Sequence, residues 1–117
     1  MTVVNTGLNW LASQLAATYY YMGIGTGTTA VQLTDTSLET ESTSYRAACD
    51  THTSTGAVAT LENEFTIGAG GLLLTEAGLF NAAVDGDMFA RQVFDVLSLN
   101  ENDKIKATWT FTFANAS

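Results

Sequence analysis

The chain has 117 residues and is 46% hydrophobic, and four Lys and Arg against twelve Asp and Glu give it a net charge of −8. This length corresponds to one domain, which we expect to span residues 1–117, and the hydrophobic, charge-poor composition excludes a disordered chain. The acidic balance repels phosphates, so we expect neither nucleic acid nor an anionic membrane surface among its partners. Nineteen threonines and no proline favour a mainly β protein, because β-branched side chains fit a pleated sheet.

The first predicted element is a helix over residues 6–17, preceded by a short N-terminal arm. Thr6 or Asn5 is expected to cap it. One face of this helix carries apolar side chains at helical spacing: Leu8, Leu11, Ala12 and Leu15. Trp10 lies off that stripe and is therefore free to meet a partner or a sheet edge.

A change of pattern at Thr18 marks the start of the β domain, about residues 18–117. The aromatic run Tyr19–Ile24 predicts a strand, and Gly25–Gly27 ends it. Residues 28–43 are mostly polar and predict an irregular connection, with Val31, Leu33 and Leu38 as apolar anchors and a helical turn near Asp35–Glu41.

Two strands joined by a turn at Thr55–Gly56 are predicted next, over Tyr45–Ser54 and Ala57–Ile67. In the second of them, Leu61, Phe65 and Ile67 share one face. A further strand is expected over Leu72–Ala83, interrupted at Gly78, where a bulge or a close backbone approach would explain the glycine.

A hairpin follows at Asp85–Gly86, because Asp-Gly tolerates the positive φ angles of a type I′ turn. Met88–Leu99 is predicted to return antiparallel, and residues 100–103 make the last turn. Strict alternation of apolar and polar residues over Lys104–Phe113 predicts a half-buried antiparallel strand.

The predicted fold is therefore mainly β. We expect an antiparallel β-sandwich or barrel of six to seven strands with one N-terminal helix, the arm and helix covering about residues 1–17.

Asp50, His52 and Ser54 are the most tempting catalytic set, since they include the residue types of a hydrolase triad. Side chains two apart on one strand stand about 7 Å from each other in parallel and do not converge for proton relay. We predict no catalytic residues and no enzymatic activity.

Metal and cofactor sites are not predicted either. His52 and Cys49 are single residues of their types, too few for a structural zinc site, and a turn explains Asp85 and Asp87 better than a cation site does. The glycines of Gly23–Gly27 are not followed by the helix that a phosphate-binding loop requires. Cys49 is the only cysteine, so an intrachain disulfide is impossible, and its alanine neighbours indicate a small buried residue.

Four aromatic residues near the N-terminus are the predicted interface: Trp10, Tyr19, Tyr20 and Tyr21. Three successive tyrosines on a strand place rings on both faces, and aromatic side chains are favoured anchors between subunits.

Three stretches in succession resemble small virion proteins of tailed phages, which include head-decoration and tail-fibre-like proteins. They cover most of the chain from about residue 7 to 113: Met22–Gly27 with the polar run to Leu38, Glu41 and Arg46; Thr75–Phe80 with Met88–Phe94; and Thr108–Thr112. Within the second stretch we predict an ion pair between Glu76 and Arg91, and packing roles for Leu79 and Phe80.

The resemblance implies a non-enzymatic structural protein of the virion, assembled in the host cytoplasm. A capsid decoration or cement protein that stabilises the head is the first expectation, with itself, as a homotrimer, and the major capsid protein or other virion subunits as partners. A tail, baseplate or fibre subunit is the alternative. A receptor- or glycan-binding module, with Asp85–Asp87 as its site, is the competing class.

The N-terminus has neither a basic segment nor an apolar run long enough for a signal peptide or a membrane span. This agrees with the cytoplasmic assembly that the resemblance implies.

Overall fold

One helix and seven strands in two antiparallel sheets make up the fold. The structure, a computed structural model, describes residues 1–116. In chain order the elements are α1 (Asn5–Thr18), β1 (Tyr21–Gly25), β2 (Ala47–Ala48), β3 (Thr51–Thr55), β4 (Val58–Thr66), β5 (Leu72–Phe80), β6 (Met88–Leu99) and β7 (Lys104–Thr112). The four-stranded sheet has the order β2-β1-β5-β6, and the three-stranded sheet has the order β3-β4-β7. The predicted mainly-β class, with one helix and six to seven strands, is confirmed.

The core lies between the two sheets and the helix. Its buried side chains come from the helix, from β1 and β5 of one sheet, and from β4 of the other: Ala12, Leu15, Ala16, Met22, Ile24, Ala59, Leu61, Phe65, Leu74 and Leu79. The helix lies against β3 and β4. The two sheets therefore face each other as a sandwich, with the helix covering one side of the three-stranded sheet.

The helix begins one residue earlier than predicted, and its cap differs. Val4 is the N-cap, with no side-chain hydrogen bond, so the prediction of Thr6 or Asn5 as the cap was wrong. Both residues lie inside the first turn. Ahead of the helix, the backbone N–H and C=O of Val3 bond to the side chain of Asn115 and hold the N-terminal arm to the other end of the chain.

The strand predicted over Tyr45–Ser54 is in fact two strands in different sheets. β2 pairs with β1, and β3 pairs with β4. Between them Cys49 is buried, and its N–H donates to Tyr20 O at 2.7 Å. The chain crosses from one sheet to the other at this point, a change that the β-like pattern of the sequence does not reveal.

The ends of several other elements also differ from their predicted positions. The tyrosine run mostly precedes β1, which starts at Tyr21, and β5 ends at Phe80 instead of Ala83. The helical turn expected near Asp35–Glu41 is wrong, and a single 3₁₀ turn lies at Thr43–Tyr45 instead. Asp85 and Gly86 do adopt positive φ angles of 56° and 71°, although the connection between β5 and β6 is longer than a two-residue hairpin.

An irregularity in the pairing of β5 turns two consecutive polar residues away from the core, to the other face of the four-stranded sheet. Leu74 and Ala77 both belong to the core although they differ in parity, and the pairing with β6 shifts between Leu74 and Glu76. Thr75 and Glu76 therefore both face away from the core. There they meet the connecting segment, residues 26–46, which crosses the outer face of the four-stranded sheet.

The molecule is elongated, with extents of 51 × 27 × 24 Å and a radius of gyration of 15.1 Å. A compact chain of this length has a radius of gyration of about 13.4 Å. Its accessible surface is 6905 Å², against about 6,100 Å² for a compact monomer of this mass. The chain therefore exposes more surface than its size requires.

Candidate interaction surface

An apolar groove lies between β6 and β7, the end strands on one side of the sandwich. The groove has a volume of about 450 Å³. Most of its lining is apolar: Ile24, Phe65, Leu74, Ala77, Phe94, Leu97, Ile105, Ala107 and Trp109. Among the described residues that line it, none is acidic. We call this feature the edge groove.

An aromatic row continues along the same side of the molecule. The ring centroids of Tyr19 and Phe89 are 5.1 Å apart, those of Phe89 and Phe111 are 5.3 Å apart, and those of Phe111 and Trp109 are 5.9 Å apart. The row thus joins the end of α1 to β6 and β7. Phe89 is 43% exposed and the other rings are half-buried, so a large part of this aromatic surface meets solvent.

The four predicted interface residues lie in three separate places. Trp10 is 60% exposed on α1, off the predicted stripe as expected, but that stripe is buried only in part, since Ala12 and Leu15 are buried and Leu11 is 37% exposed. Tyr19 belongs to the aromatic row, whereas Tyr20 stacks between Tyr21 and His52, at centroid distances of 4.8 and 4.6 Å. The structure does not bring Trp10 together with the tyrosines into one site, and their contact role stays a prediction.

The two strands that border the edge groove have different edges. β6 carries extra residues at two places relative to β5, one at Phe89 and the other in the run 94–96. Such bulges twist an edge strand and discourage pairing with another strand. β7 pairs with β4 in unbroken register from Lys104 to Thr112, so no bulge interrupts its free edge.

A buried ion network fastens the connecting segment to the sheet. Glu76 is fully buried, and its carboxylate accepts hydrogen bonds from Arg91 Nε at 3.0 Å, as predicted, and from three backbone N–H groups. Those donors are Gly27 at 2.7 Å, Thr40 at 2.8 Å and Glu39 at 3.0 Å. Arg91 also donates to Asp35 Oδ2 at 3.0 Å and to Thr29 O at 2.9 Å.

These bonds decide the charge state of the network. Burial by itself would raise the pKa of Glu76, but the hydrogen bonds from Thr40, Arg91, Gly27 and Glu39 outweigh it and lower the pKa below its usual value. Burial likewise disfavours the charged form of Arg91, but the carboxylates of Glu76 and Asp35 raise its pKa overall. Both groups are therefore ionised at neutral pH, and the network acts as a structural clasp for residues 26–41.

The glycines that superficially suggest a phosphate loop serve this clasp. A Cβ on Gly25 would collide with Thr40 O and would come within 2.7 Å of Glu76 Oε2. A Cβ on Gly27 would come within 2.5 Å of Glu76 and of Glu39. Glycine is needed here because the connecting segment approaches the strand closely.

A second arginine holds the loop between β5 and β6. Arg46 makes two hydrogen bonds to the carboxylate of Glu41, at 2.8 and 2.5 Å, and its guanidinium lies 3.6 Å from the ring centre of Phe80. It also donates to Asp85 O at 2.7 Å. The Asp85–Asp87 turn, the proposed glycan site of the competing hypothesis, is thereby tied to the body of the protein.

Only one of the three apolar anchors predicted in the connecting segment is buried. Leu38 is buried, as expected of an anchor, but Leu33 is fully exposed and Val31 is 46% exposed. β5 runs through Gly78 without a break, so the predicted interruption there is wrong, and a Cβ on Gly78 would instead come within 2.9 Å of the Leu38 side chain. Leu79 and Phe80 are buried as predicted.

Asp50 and His52 of the set Asp50, His52 and Ser54 make separate contacts. Asp50 lies outside β3, and its carboxylate accepts a hydrogen bond from Glu64 N at 3.1 Å. His52 Nδ1 lies 3.1 Å from Ala16 O at the end of the helix. Within residues 1–116 no group of three His, Cys, Asp or Glu side chains is placed to hold a metal ion.

Cys49 is buried as predicted, and burial, aided by the charge of Asp50, raises its pKa to about 11. Sequence reasoning missed two parts of the surface, the edge groove and the exposed ring of Phe89. The only available signal was the apolar face of β7, a strand that the sequence predicts to be half-buried.

No protein-family model matches the chain, and no curated protein matches it either. Over the described residues, no helix has both the length and the apolar character needed to cross a bilayer.

Proposed function

We propose that this protein is a non-enzymatic structural subunit of a tailed-phage particle, assembled in the host cytoplasm, and that it works by packing against other protein subunits. The observation that carries the proposal is the half-covered aromatic row beside the edge groove. Contiguous exposed apolar surface is a feature of protein–protein contacts, and aromatic residues are the favoured anchors there.

The assignment to a phage particle rests on the three stretches that resemble small virion proteins. The first two of these stretches meet in the clasp, where Glu76 and Arg91 of the second hold the backbone of the first. This shared role in the fold supports treating them as one structural signature.

Charge supports protein partners over nucleic acid. Each of the four basic residues is in an ion pair: Arg46 with Glu41, Arg91 with Asp35 and Glu76, Lys104 with Glu64, and Lys106 with Glu62. A surface whose cations are already paired with carboxylates attracts phosphate groups poorly.

Capsid decoration is the first form of the proposal, with the major capsid protein as partner. In that role each copy would cover apolar surface between neighbouring capsomers, and its binding energy would add to the stability of the shell. A tail, baseplate or fibre subunit is the second form, and it makes use of the same surfaces.

Copy number in purified particles tests both forms. Quantitative mass spectrometry of particles from the phage that encodes the chain should find it, at several hundred copies for decoration, or at three, six or twelve for a tail or fibre position. Its absence from the particles would overturn the proposal.

A further inference from the structure

The free edge of β7 is the only long and regular sheet edge within the described residues. Of the other three end strands, β2 has two residues, β3 has five, and β6 is bulged twice. β7 runs for nine residues without a bulge. A regular, exposed edge strand offers a row of unpaired N–H and C=O groups to another strand.

The outward-facing groups of that edge belong to the even-numbered residues. Phe113 N donates to Ala57 O at 2.9 Å, and Ile67 N donates to Asp103 O at 2.8 Å, so odd-numbered residues of this strand bond to β4. Alternation in an antiparallel pair then turns the N–H and C=O groups of Lys104, Lys106, Thr108, Thr110 and Thr112 away from β4.

We propose that two copies of this chain pair through β7, antiparallel, about a two-fold axis at Thr108. In this register Thr108 forms a hydrogen-bonded pair with the same residue of the second copy. Lys106 then lies opposite Thr110, and Lys104 lies opposite Thr112. All of these are even-numbered residues, so every outward N–H and C=O of the strand gains a partner.

The inner-face side chains fit the same register. Ile105 lies opposite Phe111, and Ala107 lies opposite Trp109, so a smaller side chain faces a larger one at each step. No two like charges are opposed on either face, whereas a four-residue slip that centres the pair on Lys106 would place two lysines against each other.

The absence of carboxylates among the described residues that line this surface disfavours a basic partner there and allows two acidic copies to approach each other. Two chains of charge −8 repel each other, and contact between them requires a face without carboxylates. The edge groove is such a face, since its described lining is apolar with Gln92, Lys106, Thr108 and Thr110 at its rim.

The surface area supports the same occupant. The chain exposes 6905 Å², about 800 Å² more than a compact monomer of its mass. A specific interface of standard size covers about 800 Å² on each partner. Joining the two three-stranded sheets would bring the aromatic rows of both copies under cover.

This inference goes beyond the proposed function, because it concerns the free protein and needs no particle. A trimer in the particle, as the resemblance implies, would use other contacts. A head-to-tail ring through β7 and β6 is opposed by the two bulges of β6.

The first test is the mass of the purified full chain by light scattering and sedimentation, over a range of concentration and salt. A dimer of twice 12.4 kDa is expected, and added salt should strengthen it by screening the repulsion between the copies. A monomer at about 100 μM, a trimer, or a dimer that salt dissociates would overturn the inference.

Cross-linking then tests the register. In Thr108→Cys the two introduced thiols face each other with Cα atoms about 5.5 Å apart, within disulfide range. In the matched control Thr112→Cys, eight residues of strand separate the two thiols, about 27 Å. Mild oxidation should link the first variant covalently and leave the second unlinked. Equal linking of both variants would show that the register is wrong.

Two further variants test the pairing without added thiols. Thr108→Pro removes an outward N–H that β4 does not use, and Thr110→Lys places a lysine opposite Lys106 of the second copy twice in each dimer. Both should raise the dimer dissociation constant at least about tenfold.

The matched control is Thr60→Lys, which makes the same charge change on β4, one strand away from the edge, and should leave the dimer intact. If Thr108→Pro fails to fold, the dimer dissociation constants of Thr110→Lys and Thr60→Lys are compared instead. Unchanged dimers in both edge variants would overturn the inference. A monomer that is nevertheless abundant in particles would overturn it and leave the proposed function standing.

Discussion

Glu76 Oε1 lies 3.0 Å from Arg91 Nε, and this ion pair is buried between a strand and the segment that crosses it. Removing one partner leaves the other charge buried without compensation. We therefore expect Arg91→Ala to lower the free energy of unfolding by about 3–5 kcal/mol. Arg91→Lys should lose less of the free energy of unfolding but should remain below the wild type, since an ammonium group cannot reproduce the three directed bonds to Glu76, Asp35 and Thr29.

Urea unfolding followed by circular dichroism measures the loss. Lys104→Ala is the matched control, because Lys104 pairs with Glu64 at 3.6 Å on the exposed face and should contribute less than about 1 kcal/mol. Similar losses in the two variants would contradict a structural clasp.

Acid should open the same clasp. The pKa of Glu76 is lower in the folded chain than the usual value of about 4.3. Its contribution is therefore complete above the unfolded pKa and is lost as the pH falls through the folded pKa. Urea unfolding of the wild type between pH 7 and pH 3 should show stability falling in the acid range.

Glu76→Gln should be less stable than the wild type at pH 7 and should approach it at acid pH. A constant difference between the two proteins across this range would mean that Glu76 does not carry the acid sensitivity.

The glycine at position 25 is expected to be irreplaceable. A Cβ there collides with the backbone oxygen of Thr40, which cannot move without breaking the clasp, so Gly25→Ala should cost about 1–3 kcal/mol or more. Gly68→Ala is the control, since its added Cβ meets only Tyr45 Oη at 3.5 Å. Melting temperatures by differential scanning calorimetry compare them, and equal melting temperatures would refute the close approach.

Trp10 should matter for assembly and little for folding. Its side chain is 60% exposed, so Trp10→Ala should change the free energy of unfolding by less than about 0.5 kcal/mol. If it is a contact residue, its loss should weaken binding to particles that lack the protein by at least about tenfold. Leu15→Ala, a buried change on the same helix, should instead destabilise the fold by about 2–5 kcal/mol. Unchanged particle binding by Trp10→Ala would remove Trp10 from the interface.

Cys49 should be inert in the native state. It is buried, and its pKa is raised to about 11, so the thiolate that reacts with alkylating reagents is scarce at neutral pH. Iodoacetamide labelling at pH 7.5, followed by mass spectrometry, should be slow without denaturant and fast in urea. Rapid native labelling would contradict the burial, and it would also require replacing Cys49 before the cross-linking tests.

The sequence predicts those parts of the fold in which local pattern and tertiary environment agree. β7 alternates strictly because one of its faces is half-covered, and the Glu76–Arg91 pair follows from the hairpin that joins their strands. The break at Cys49 is different, since Ala47–Thr55 is compatible with one strand and only pairing with distant partners divides it.

The sequence predicts only the ion pair of the clasp and not its backbone hydrogen bonds. A polar connection indicates exposure, yet here the backbone N–H groups of Gly27, Glu39 and Thr40 are satisfied by a carboxylate that lies at least 36 residues away along the chain. The edge groove had no signal of its own, because an apolar strand face looks the same whether a sheet or a second subunit covers it.

The two bulges of β6 set a limit on growth. Sandwiches with two regular edges can polymerise side by side into filaments without end, since each added copy exposes a fresh template. Here β6, the edge beside β7, is bulged, and the end strands on the other side, β2 and β3, are short, so the proposed pairing through β7 closes on itself after a single step. On this proposal the protein joins its larger assembly as a finite dimer.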